Sequence, residues 1–319
     1  MARALIPALL LCLLFVVSCA PAPEQKQEVV VPEAAVSASE QASASEQISG
    51  SWNWVVKAGE ANRELWNDVK AGYVSEAGMQ MNAIPVYLDE AEKIINSAPD
   101  TTIAEEKCTI DAIRQYIAYF RTGLALNEKM LALVSESSKL GSTTDLADMN
   151  TATTAAQNAV AGAKTELARA KSQINAIDLG CASSDVRVFI TVDKNQVADS
   201  ERMLEDMGNY LSALKNFIEC GQTFEKVVPA VEKKNFDGAI SLVKKSRELA
   251  AKSKEGFSRL TGSTFTEIAA DAVMFKNKAG IFDDGLAKFE EALVALRSGR
   301  TGTAEKLLDE ANAKFQSMQ

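Results

Sequence analysis

The sequence predicts an all-α protein made of long antiparallel helical hairpins. Three observations predict it. Apolar residues recur at three- and four-residue spacing almost throughout the chain beyond residue 50, the period of an amphipathic helix. Pro85, Pro99 and Pro229 are the only prolines in that stretch, so little interrupts a helical ladder. Alanine is abundant and aromatic residues are few, a composition suited to close helix approach.

The first eighteen residues read differently. Arg3 is their only charge, and Ala4 to Val17 runs apolar before Ser18 and Cys19. A positive start, a short apolar stretch and small residues at its end form a secretory signal. The apolar run is too short for a membrane-spanning helix, which needs about 20 residues. Val16-Val17-Ser18-Cys19 resembles the lipobox of prokaryotic lipoproteins. That resemblance implies cleavage after Ser18 and a diacylglycerol thioether on Cys19, so the membrane becomes a partner through lipid. Ala20 in place of Asp resembles the outer-membrane-sorted class, should the source be diderm. The expected location is the cell envelope, anchored on the extracytoplasmic side.

Residues 19–50 read as the lipidated cysteine and a disordered tether. They hold Pro21, Pro23 and Pro32, no aromatic residue, and the near-duplicated Ser-Ala-Ser-Glu-Gln at 37–41 and 43–47. Such a segment buries too little apolar surface to offset the entropy of ordering. If flexible it reaches roughly 30 Å.

Beyond the tether the chain reads as two helical regions, 51–180 and 181–319. A helix is expected from Thr102, with Glu105 completing a capping-box pattern, through Ile110, Ile113, Ile117 and Leu124 to about residue 137. A turn at Gly141-Ser142-Thr143 leads into an Ala-rich stripe from Ala152 to Ile177, and the two form an antiparallel hairpin. Val186 to Val192 has strand-like composition but nothing to pair with, so it reads as helix. Helical spacing then continues through Met203, Leu211 and Ile218.

The C-terminal half shows weak self-similarity. Phe224 to Leu260, with a turn at Lys234-Asn235, and Phe282 to Phe315, with a turn at Gly299 to Gly302, share one plan. The rhythm Ala304, Leu308, Ala311, with Ala292 before it, resembles tetratricopeptide-like helical repeats, which implies stacked helical hairpins. Val227 and Ser246 depart from the small residues that pattern asks for.

Five cysteines occur, of which Cys12 leaves with the signal and Cys19 takes lipid. Of the remaining three, a hairpin centred near residue 143 brings Cys108 close to Cys181, so a Cys108–Cys181 disulfide is expected. Its loop is worth about 3–5 kcal/mol in the chain-entropy model. Cys220, beside Phe217 and Ile218, reads as a small core residue.

Little points to chemistry. There is no histidine, which removes His-dependent nucleophile activation and the common zinc sites. No catalytic residue, metal ligand or cofactor motif is assigned. Gly162-Ala163-Lys164-Thr165 lacks the upstream glycine of a phosphate loop, and Asp283-Asp284-Gly285 reads as a helix start. Without Arg3 the chain keeps 33 basic residues against 43 acidic ones, which argues against nucleic acid as a partner. Trp52, Trp54 and Trp66 fall together near the tether, either as core residues of the first helix or as an aromatic lip toward the membrane interface or a partner. The functional expectation is a non-enzymatic, membrane-anchored module that binds or scaffolds an envelope protein. A small-ligand-binding lipoprotein is the alternative, and a carboxylate-dependent hydrolase a third.

Overall fold

The computed structural model describes residues 42–318. The signal segment, Cys19 and the tether as far as residue 41 lie outside the described residues. Among those described there are nine helices and no strand: α1 (Ala44–Ala71), α2 (Val74–Asn96), α3 (Ala104–Ser142), α4 (Leu146–Ala176), α5 (Ser184–Glu225), α6 (Val227–Glu232), α7 (Phe236–Leu260), α8 (Thr266–Arg297) and α9 (Thr301–Gln316). The protein is all-α, as its periodicity predicts.

Helix α1 begins inside the segment expected to be disordered. The second Ser-Ala-Ser-Glu-Gln copy is its cap: Ser43 Oγ accepts from the Glu46 N–H at 3.3 Å, and Glu46 Oε2 accepts from the Ser43 N–H at 2.7 Å. Two orphan donors are satisfied reciprocally, and Ala44 and Ser51 are buried on the helical turns behind the cap. Helical order therefore starts by residue 44, not 51. A second cap also differs from expectation. Thr101, one residue before Thr102, accepts from the Ile103 N–H and donates to Glu106, and α3 starts at Ala104.

The chain divides into two compact units, and the division is not the cut near residue 180. One unit takes 42–128 and 164–201; the other takes 129–163 and 202–318. The reason is length. Helices α3, α4 and α5 have 39, 31 and 42 residues, and each contributes a segment to both units.

In the first unit, α1 and α2 form a hairpin closed by Gly72, whose φ of 83° lies in the left-handed region that glycine tolerates. Small residues set their contact: Ser51 and Ala58 on α1 and Ala91 on α2 are fully buried, and Ser51 Oγ donates to the Ala91 carbonyl at 2.8 Å. Pro85 sits inside α2 and leaves the carbonyl one turn earlier without its helical donor. The Val186–Val192 segment is helical, with Val186 and Ile190 buried and Val188 exposed. Cys108 and Cys181 are disulfide-bonded, with Cα atoms 5.7 Å apart.

The second unit is organised by aromatic side chains seven residues apart. Tyr210, Phe217 and Phe224 lie on α5, and Phe275, Phe282 and Phe289 on α8. Phe217 sits between Phe275 and Phe282 at 6.3 and 6.0 Å, and Phe224 between Phe282 and Phe289 at 5.8 and 5.3 Å, all edge to face. Partners rise in step, so α5 and α8 run parallel. Between them in sequence, α7 runs antiparallel to α5. Gly256 on α7 lies so near Ala213 that an added Cβ would meet its Cβ at 2.8 Å. Asp283-Asp284-Gly285 is no helix start, since α8 runs unbroken from Thr266 to Arg297. Gly285 is a packing residue: the Phe315 ring of α9 covers it, at 2.5 Å from where a Cβ would stand.

Replacing both Cys108 and Cys181 by serine opens a loop spanning 73 residues, which is expected to lower unfolding free energy by about 4 kcal/mol. Chemical denaturation of the double variant tests this. An unchanged midpoint would mean that packing alone holds the α3 start against the α4–α5 loop.

Candidate binding cavity

The end of α3 and the turn that leads to α4 carry little side-chain volume. Gly141, Ser142, Thr143 and Thr144 stand in a row, and Asp145 caps α4 by accepting from the Ala147 and Asp148 N–H groups at 2.8 and 3.0 Å. Opposite this turn, α5 carries Gly221 one helical turn after Phe217. Small residues on both sides leave a partly enclosed cavity of about 600 Å³. Leu146 and Met149 of α4, Phe217 and Ile218 of α5, Phe282 of α8 and Met318 supply its apolar walls.

The aromatic ladder explains why the cavity does not collapse. Phe217 and Phe282 are held edge to face by their neighbours and cannot swing inward without breaking those contacts. Leu146 is fixed from the other side. Its carbonyl accepts from Gln222 Nε2 at 2.9 Å, and its side chain already stands 2.9 Å from where a Gly221 Cβ would be. Among the described residues that line it, none carries a charge. A volume near 600 Å³ suits a small molecule, for which sites run from roughly 300 to 1,000 Å³.

A second, smaller cleft of about 270 Å³ lies along the α5–α7 seam, between Asn209, Ser212 and Asn216 on one side and Lys252, Glu255 and Arg259 on the other. Arg259 is engaged by Glu255 at 2.6 Å. Polar side chains dominate both of its walls.

The residues singled out from sequence fall elsewhere. Trp66 is buried, only 4 % exposed, so the three tryptophans form no common aromatic lip. Trp52 is half-buried, 5.2 Å from Phe189 and 6.1 Å from Tyr116. Trp54 packs against Tyr87 at 5.7 Å and takes the Lys57 ammonium over its ring at 4.1 Å. The period of α1 separates them: residues 52 and 66 face inward while 54 lies toward the flank. Cys220 is fully buried, its Sγ donating to the Ser246 carbonyl at 3.0 Å. Burial pushes its thiol up to about 12, so it is no nucleophile at neutral pH.

Beside Trp52 sits a buried acid that sequence reasoning passed over. Tyr116 OH donates to Asp193 Oδ2 at 2.5 Å, while Asp193 Oδ1 has no hydrogen-bond partner. Desolvation raises the Asp193 carboxyl to about 7, against the lowering effect of the Tyr116 bond. Among the described residues no group of three or more Cys, Asp or Glu side chains is placed to hold a metal ion, and no helix is long and apolar enough to cross a membrane. The cavity gave no motif in the sequence. Its only signal was the run of small residues at 141–144 next to Leu146 and Met149, which reads equally as an ordinary turn.

Comparison with protein-family models, with curated proteins and with solved structures finds no match for this chain.

Asp193 sets a pH dependence whose sign comes from its raised value. Below 3.8 both the folded and unfolded chains hold the proton, and this group contributes no difference. As pH rises from there toward about 7, the unfolded chain ionises freely while the folded one resists, so stability falls across that window. Asp193→Asn, which still accepts from Tyr116, is expected to stabilise the protein by a few kcal/mol at pH 8 and by much less at pH 4. Denaturation at both pH values checks it; an equal effect at each would refute the assignment.

Proposed function

We propose that this chain is a membrane-tethered, non-enzymatic binding lipoprotein of the cell envelope that takes a small apolar ligand between its helices. The cavity beside the α3–α4 turn carries the reading: about 600 Å³, apolar-walled, uncharged and framed by fixed rings. The tethering part rests on the resemblance of Val16 to Cys19 to a lipobox and on the signal-like run before it. With lipid on Cys19, the binding unit would work close to a bilayer, where apolar molecules are concentrated.

A second reading, the protein-interaction or scaffolding module, is favoured by a different observation. Tyr73, Met79 and Val86, at 59, 62 and 58 % exposure, put apolar surface on the outside of the α1–α2 hairpin. Exposed apolar side chains gathered on one element are a feature of partner-binding surfaces. Capture from crosslinked native membranes, with Tyr73, Met79 and Val86 all changed to serine in the control, tests that reading.

Two measurements test the primary one. Metabolic labelling with an alkyne fatty acid is expected to tag the wild-type protein and not Cys19→Ala, which should also leave the membrane fraction. The uncharged fluorophore N-phenyl-1-naphthylamine is expected to brighten on the chain carrying Cys19→Ala, and to stop doing so when Met149→Trp fills the cavity. Brightening that persists in folded Met149→Trp would place the dye elsewhere and remove the support for this function.

A further inference from the structure

The walls of the cavity say how large and how apolar an occupant is; its mouth says what charge that occupant carries. This inference rests on the ligand-binding reading above and deepens it.

An anionic headgroup needs a cation, a set of free N–H donors or a helix N-terminus. Arginine and lysine are absent from the described lining residues. The helix N-terminus of α4, beside the cavity, is already occupied. Asp145 Oδ1 takes the Ala147 and Asp148 N–H groups, and the Met149 N–H bonds the Asp145 carbonyl at 2.9 Å. Asp145 and Asp148, both exposed, directly precede the lining residues Leu146 and Met149, so the nearest charges along the chain are negative. The closest preceding cation, Lys139, is held by Glu136 at 2.6 Å. A carboxylate or phosphate brought here would lose hydration and find no cation among the described lining residues, with two carboxylates next to them along the chain.

A cationic headgroup fares only somewhat better. Asp145 and Asp148 are solvent-exposed, and an exposed ion pair is worth little. What the rim does offer is hydroxyl chemistry. Ser142, Thr143 and Thr144 line the cavity together, with Ser142 and Thr144 exposed. Ser142 Oγ donates to the Lys139 carbonyl at 3.0 Å and keeps a lone pair to accept with, and Thr143 Oγ1 accepts from the Asp145 N–H at 3.2 Å and keeps its proton to donate. Met149 and Met318, unbranched and polarisable, can match the contour of a chain or a ring.

We infer that the α3–α4 cavity is selective for uncharged apolar molecules, such as a neutral lipid with a hydroxyl or carbonyl at one end, over the corresponding anions. The hydrocarbon part would lie against Phe217, Ile218 and Phe282, and the polar end among the hydroxyls of residues 142–144.

The experiment compares three twelve-carbon ligands that differ in headgroup alone: dodecan-1-ol, dodecanoate and dodecyltrimethylammonium. Each displaces N-phenyl-1-naphthylamine from the chain carrying Cys19→Ala at pH 8, below its aggregation concentration. The alcohol is expected to bind tightest, with both ions weaker by roughly tenfold or more and dodecanoate weakest, since an unpaired charge is costly to desolvate. Dodecanoate or the ammonium matching the alcohol would overturn the inference while leaving the cavity a binding site. Failure of the fluorophore itself to bind folded protein would remove the binding reading and this inference together. Should Met149→Trp not fold, Ser142→Trp at an exposed lining position provides the same block and is expected to abolish brightening of the fluorophore.

Discussion

The unit that holds the cavity depends on one packing arrangement, the interlocking of aromatic rings between α5 and α8. Seven-residue spacing keeps Tyr210, Phe217 and Phe224 on one stripe, and Phe275, Phe282 and Phe289 on the facing one. Each ring is larger than the aliphatic residues around it, and edge-to-face contacts fix its orientation as well as its position. Tyr210 and Phe275 are buried and the other four half-buried, so the ladder runs from the core to the surface of the unit. The other helices fit around this ladder. Helix α7 reaches α5 through the Gly256–Ala213 contact and the Cys220–Ser246 pair of reciprocal bonds, and α9 covers Gly285 with Phe315.

Close packing elsewhere makes the cavity informative. Interiors are filled to crystal-like density, and voids larger than a water molecule are few. A partly enclosed apolar cavity of about 600 Å³ leaves Phe217, Ile218 and Phe282 without the dispersion contacts that a packed neighbour would supply on that side. Filling would be simple, for instance a larger residue at Ser142 or Thr144 on the α3–α4 turn. Instead that turn keeps four small residues in a row, while rigid rings border the space on the far side. The unit places its ring ladder next to the cavity.

Most of the architecture was legible in the sequence because it is written in periods. The hairpin of α3 and α4 came from apolar spacing and the turn at 141–143, and the pairing of Cys108 with Cys181 came from the register of that hairpin. Low-complexity appearance misled at the start of α1. Ser43 to Gln47 copies a tether-like motif, yet its Ser-x-x-Glu spacing is a helix cap, and only burial of the turns behind it decides which role it plays. At Asp283-Asp284-Gly285 the misreading was of the glycine, which belongs to a ring contact with Phe315 and not to a helix end. Compact units also escaped a linear reading, since three helices are each shared between them.

Sites made of missing volume are harder to read than sites made of reactive groups. A catalytic constellation announces itself by residue types that are expensive to place, and this chain supplies few. Asp193 is the nearest case, a buried carboxyl paired with Tyr116, and its surroundings are aromatic. The binding cavity instead arises where Gly221 on α5 and Gly141 to Thr144 on the turn leave space, a coincidence between positions about eighty residues apart that no local window holds. The charge beside it went unremarked in the sequence as well. Asp145 caps α4 and Asp148 lies in its first turn, and their bearing on an anion appears only once the turn that carries them is seen to border an apolar space.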